Sequence, residues 1–243
     1  MNLRKVFLQT AVLLAVPALC SAAAINQVTY ASLTGTGLVT FDDVAGGAAP
    51  GTNYDGILAS GGEHFAERFV GQTLSANGDF DVLSGSPTGT LALQVGSPNH
   101  NVNVFVNAGT NVLTGLGTPG FPSFSAIGEG AFTTLFTNDQ SQFGFQLVGG
   151  DGGSATINFY RRDSSLIQSI VVSGLANAFY GFSRDLGVQD IAGISIFNND
   201  PGGIGFDNLK FDVPSTATVP EPSTLTLMGL GALYLRRRRR NCK

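Results

Sequence analysis

The sequence predicts an all-β fold, a two-sheet antiparallel sandwich or jelly roll. Three observations predict it. Short apolar runs alternate with turn residues along most of the chain. Apolar side chains recur at every second position, as in Phe143, Phe145 and Leu147, which suits a sheet with one buried face. The middle of the chain is rich in Gly, Ser, Thr, Asn, Val and Phe and lacks the periodicity of amphipathic helices. A signal helix is expected before this domain and a short transmembrane helix after it. The chain then divides into residues 1–24, a β-domain at 25–213, a linker at 214–219 and a tail at 220–243.

The N-terminal segment comes first. Arg4 and Lys5 are a positive n-region, Val6 to Leu19 an apolar stretch, and Cys20-Ser21-Ala22-Ala23-Ala24 offers small residues to a signal peptidase. That order reads as a secretory signal peptide cleaved after Ala22, Ala23 or Ala24.

Strands are expected at 36–41, 79–83, 90–95, 101–107 and 131–136. Further runs fall at 142–148, 154–160, 166–172, 177–183, 191–197 and 204–213. In 101–107, Val102, Val104 and Val106 point to one side and Asn101, Asn103, Phe105 and Asn107 to the other. The glycines around Asp151 form a hairpin turn. Residues 61–70 place Phe65 and Phe69 four apart, as a helix would, but also read as a strand. Residues 115–125, with Pro119, Gly120 and Pro122, are expected to be a loop.

Charge is distributed unevenly. Eight of the thirteen basic residues lie in the first and last segments, so the middle holds five basic against sixteen acidic residues, a net charge of −11. Nucleic acid is excluded as a partner by so acidic a domain. Both cysteines, Cys20 and Cys242, lie outside the domain, which therefore has neither a disulfide nor a thiol nucleophile.

The tail carries the clearest signal. Pro220-Glu221-Pro222 cannot be helical, because each proline fixes φ and lacks an N–H, and Pro222 holds Glu221 extended. The uncharged stretch from Ser223 to Leu235 follows, and then Arg236, Arg237, Arg238, Arg239 and Arg240. The apolar stretch can enter lipid as a helix, while the arginines stop on the cytoplasmic side. As a helix it is roughly 20 Å long, against a hydrocarbon core of about 30 Å. This order of elements resembles the PEP-CTERM sorting signal of Gram-negative bacteria. The resemblance implies recognition and removal by an exosortase, a membrane-embedded cysteine peptidase-transferase, after transient residence in the inner membrane. Glu221 is then the recognition carboxylate and the arginines the membrane stop. The precursor is exported, tethered to the inner membrane, and released to the periplasm, the outer surface or the medium.

Gln142-Phe143-Gly144-Phe145, the hairpin 155–161 and Ile204-Gly205-Phe206-Asp207-Asn208-Leu209-Lys210-Phe211 resemble the galactose-binding-type or carbohydrate-binding jelly rolls found in front of such tails. That resemblance implies a matrix or exopolysaccharide setting and a structural calcium ion between the first and last strands. Asp42, Asp43 and Asp207, with Asn208 as a lesser choice, are the expected ligands, since calcium takes six to eight oxygens. Tyr54 is the expected sugar stacker. The competing function is a hydrolase, which needs two facing carboxylates. The domain has three glutamates, Glu63, Glu67 and Glu129, and none can be paired from sequence. His64 and His100 lie far apart and lack the spacing of a zinc motif. The expected function is that of a non-enzymatic surface or matrix protein, the alternatives being an exopolysaccharide-binding module or a permanently anchored envelope protein.

Overall fold

Alternating apolar residues and frequent glycine turns build nineteen strands among residues 23–212, which the structure, a computed structural model, describes. The expected signal helix, linker and transmembrane helix lie outside the described residues. Among the described residues, no helix is long and apolar enough to cross a membrane.

In chain order the strands are β1 (Ile25–Val28), β2 (Gly37–Val39), β3 (Thr52–Tyr54), β4 (Leu58–Ser60), β5 (Glu63–Ala66), β6 (Arg68–Phe69), β7 (Thr73–Asn77), β8 (Phe80–Ser84), β9 (Leu93–Gln94) and β10 (Val102–Asn107). They continue as β11 (Thr110–Leu116), β12 (Ile127–Gly130), β13 (Phe132–Gln140), β14 (Gln142–Gly149), β15 (Ser154–Tyr160), β16 (Leu166–Ser173), β17 (Ala178–Arg184), β18 (Ile191–Asn198) and β19 (Ile204–Phe211).

Two antiparallel sheets carry most of them. The larger runs β1-β17-β14-β19-β11-β10-β3, with β2 beside β19 and β12 beside β11; the smaller runs β16-β15-β18-β13-β5-β4. Strand β19 uses both its edges. One faces β14, and the other is shared between β11 at Phe206 and β2 at Leu209 to Phe211.

Phenylalanine rings bridge the two sheets. Phe132 of the smaller sheet lies 4.3 Å from Phe206 of the larger, Phe136 lies 5.8 Å from Phe143, and Phe159 lies 5.5 Å from Phe182 (centroid distances). These six side chains are at most 2 % exposed. Tilted and edge-on aromatic pairs at this spacing add about 0.5–1.5 kcal/mol each beyond their buried area. A face-to-face sandwich follows from this pattern, as the alternation predicts.

Residues 67–95 form a third layer on the outer face of the smaller sheet. Phe69, Leu91, Tyr160 and Ala192 form a second apolar cluster there. Gln72 Nε2 donates to Tyr160 Oη at 3.2 Å and to Ser195 Oγ at 3.4 Å, while its Oε1 accepts from the Phe69 amide at 2.9 Å. Gly193 makes room for this layer, because a Cβ there would lie 2.6 Å from Phe69 Cζ. The layer settles the ambiguity at 61–70. The segment is two strands, with Phe65 in the inter-sheet core and Phe69 in the second cluster.

Other expectations change in detail. The run expected at 90–95 contracts to β9, which pairs only with β6. The expected loop at 115–125 starts later, because β11 runs to Leu116. That strand escaped notice because it is covered on both sides: Val112 and Leu113 are adjacent and both fully buried, so no alternation is visible. Val106, grouped with Val102 and Val104 by pattern, is 44 % exposed at the open end of β10.

Candidate functional site

The pairing of β2 with β19 does bring the early strand beside the last one. Phe41, just beyond β2, has φ of 58° and turns the chain away from the sheet. Asp42 and Asp43 therefore diverge. Asp42 Oδ1 accepts the Asn111 amide at 3.2 Å, and Asn111 Nδ2 donates to the Phe41 and Val44 carbonyls. Asp207 accepts from Thr110 Oγ1 at 3.1 Å and from the Asn208 amide at 2.6 Å. Burial holds the Asp207 carboxyl above the usual range, and the Asp42 charge pushes the same way. Asp43 turns to another partner set, Ser60 Oγ and the Gly61 amide. Those two hydrogen bonds, the Ser60 one foremost, hold the Asp43 carboxyl below its ordinary value.

Of the three expected calcium ligands, then, Asp42 and Asp207 are near neighbours and Asp43 serves a different turn. Asn208 Nδ2 donates to Gln146 Oε1 and to Asp207 Oδ2, so its amide is engaged within the seam. Among the described residues, no group of three or more His, Cys, Asp or Glu side chains converges as a metal site.

Tyr54 is not a free platform. Its ring packs against the inter-sheet core and its hydroxyl donates to the Ala45 carbonyl at 2.6 Å. A more open aromatic lies elsewhere. Phe179 on β17 is 53 % exposed and its ring centroid sits 4.9 Å from that of Tyr30. Tyr30 Oη donates to the Asn208 carbonyl, and Lys210 Nζ stands 5.6 Å from the Tyr30 centroid. The turn carrying Tyr30 lies flat on the larger sheet because Gly144 has no side chain; a Cβ there would lie 2.9 Å from Tyr30 Cδ2. Sequence reading missed this pair because Phe179 looked like one more alternating strand residue. Its outward position depends on the β14 register, which pairs it with Gln146.

The three glutamates have different fates. Glu63 accepts the Thr137 amide at 2.6 Å, and burial raises its carboxyl nonetheless. Glu67 contacts the Arg68 guanidinium. Glu129 is 8 % exposed, and its Oε2 has no hydrogen-bond partner. His64 is exposed on β5, and His100 lies in the turn closed by its amide onto the Ser97 carbonyl.

The decisive pattern is in the tail. Residues 218–240 match the PEP-CTERM protein-sorting motif. The matched segment contains Pro220-Glu221-Pro222, the apolar stretch and all five arginines, in the order read from the sequence. It lies outside the described residues. No match to the chain was found among curated proteins or solved structures. The motif supports an exported protein with an exosortase as its processing partner.

Proposed function

We propose that this chain is an exported, non-enzymatic surface or matrix protein whose PEP-CTERM tail is cut by an exosortase. The match at 218–240 carries the reading. The chemistry is consistent with it. The prolines on either side of Glu221 disfavour a helix at the carboxylate that the exosortase would recognise. The five arginines resist translocation and hold the tail in the bilayer while that happens. The β-domain is the cargo, a cysteine-free sandwich that folds after export without disulfide chemistry. Glu221→Ala is expected to leave the precursor uncut, so that mass spectrometry finds the arginines retained. An intact C-terminus on the mature wild-type protein, in cells that contain an exosortase, overturns the proposal.

A second reading, exopolysaccharide binding, is favoured by the exposed Phe179 against Tyr30, with the Gln146 amide beside it. Sugar rings stack on such faces, and flanking amides supply the hydrogen bonds. Retention on a glycan array that Phe179→Ala abolishes supports this reading, and retention unchanged by that substitution removes it.

Calcium at Asp42 and Asp207 is a subsidiary proposal, supported by their carboxyls accepting hydrogen bonds from the adjacent residues Asn111 and Thr110. A melting temperature that falls when chelator is added supports it; an unchanged one removes it.

A further inference from the structure

The β7–β8 hairpin pairs only with itself and lies over the smaller sheet with most of β7 exposed. Beneath it is a cavity of about 130 Å³ lined by Asn77, Val82, Thr156, Phe197 and Asn198 among others. Few polar contacts hold its tip and inner strand. Thr118 donates its amide to the Asp79 carbonyl at 2.9 Å and its hydroxyl to the Gly78 carbonyl at 2.8 Å; Asp81 Oδ2 accepts the Ala131 amide at 3.2 Å.

The seam under that tip contains an unusual group. Glu129 of β12 is nine-tenths buried, and its Oε2 accepts no hydrogen bond. The charged groups that face it are both negative: Asp79 in the hairpin turn and Asp200 in the β18–β19 turn. A buried carboxyl oxygen without a donor, beside two other carboxylates, favours the protonated form. Further along the seam, Asp81 of β8 is 6 % exposed and faces Arg68 of β6 and His100. Arg68 is itself in contact with Glu67.

We propose that the β7–β8 hairpin is a proton-operated clasp, docked on β12 while Glu129 carries its proton and loosened when Glu129 ionises. Release lets the carboxylate reach water and separates it from Asp79.

The direction follows from linkage. Burial, reinforced by Asp79 and Asp200, raises the Glu129 carboxyl from 4.5 to about 7 in the docked state, and burial raises Asp81 from 3.8 to about 6. A released hairpin exposes both to water and takes Asp79 away from Glu129, so both fall towards their ordinary values. Docking is therefore fully favoured below the ordinary value, weakens as pH rises through the docked one, and is constant above it. Glu129 by itself makes opening about tenfold more frequent at pH 8 than at pH 6, and Asp81 adds roughly twofold.

Hydrogen–deuterium exchange on the purified full-length protein tests this. Protection factors, corrected for the intrinsic pH dependence of exchange, are compared at pH 6 and pH 8. The amides of 73–84 are expected to lose at least tenfold protection at pH 8 while those of β13 and β15 hold. In Glu129→Gln, which keeps the shape and cannot ionise, the loss is expected to shrink to about twofold. Equal wild-type protection at the two pH values overturns the clasp, and so does a full tenfold loss in the variant. Should the variant not fold, carboxyl-carbon NMR of the wild type decides: a Glu129 midpoint near 7 coincident with the loss of protection supports the clasp, and a midpoint below about 5.5 sinks it.

Discussion

Phe132→Ala is expected to lower the unfolding free energy by about 3–5 kcal/mol, the cost of replacing a buried aromatic ring by a methyl group. Phe132 is 1 % exposed and sits where the two sheets meet, 4.3 Å from Phe206 and 6.4 Å from Phe65. Its neighbours belong to a two-sided lattice of rings, which has little freedom to close over a void. A domain of this kind has roughly 5–15 kcal/mol in hand, and no cysteine lies within it to offset the loss. Urea denaturation followed by far-ultraviolet circular dichroism measures the effect. The midpoint should fall steeply at an unchanged slope. Phe179→Ala is the matched control: that ring is half exposed and should cost under about 1 kcal/mol. Equal losses in the two variants would falsify the assignment of Phe132 to the inter-sheet core.

Asp200→Ala is expected to cost roughly 3 kcal/mol or more, because its carboxylate organises two turns at once. Asp200 is fully buried and accepts amides from Asp151, Gly153 and Gly202 at 2.8–3.1 Å. Hydrogen bonds to a charged acceptor are worth about 1.5–3 kcal/mol each, and removing the acceptor leaves the donors unpaired. The loss is partly offset by relief of the Glu129 carboxyl, which the Asp200 charge opposes. Asp200→Asn keeps one acceptor oxygen and should fall between wild type and Asp200→Ala. Thermal melts at pH 7 rank the three proteins, and an alanine variant as stable as wild type contradicts the role.

Both residues illustrate what a linear reading reaches. Phe132 falls in the run 131–136, which reads as a strand. Asp200 was recognisable as a turn residue from the Pro201-Gly202-Gly203 that follows it. The turn at Asp151 was equally legible, but not that the two meet, because they lie 49 positions apart and come together only when β15 pairs with β18. The same limit explains the expected calcium ligands. Asp42 and Asp43 are adjacent in sequence, yet the positive φ at Phe41 sends one towards Asn111 and the other towards Ser60. Tyr54 looked open from its polar neighbours, and only the packing of Ala45 above it took its hydroxyl. Strand β11 hid because a strand covered on both faces loses the period-two signal.

Composition and local order alone determined the all-β class, the acidic and disulfide-free character of the domain, and the tripartite tail. Those properties are written in contiguous residues, and a bilayer or a peptidase meets the tail as contiguous chain. Tertiary structure alone decided which carboxylates meet, which aromatic stands open, and that one carboxyl oxygen of Glu129 lies buried without a donor. These depend on strand register and on contacts between residues dozens of positions apart, and a one-residue change of register moves every side chain to the other face.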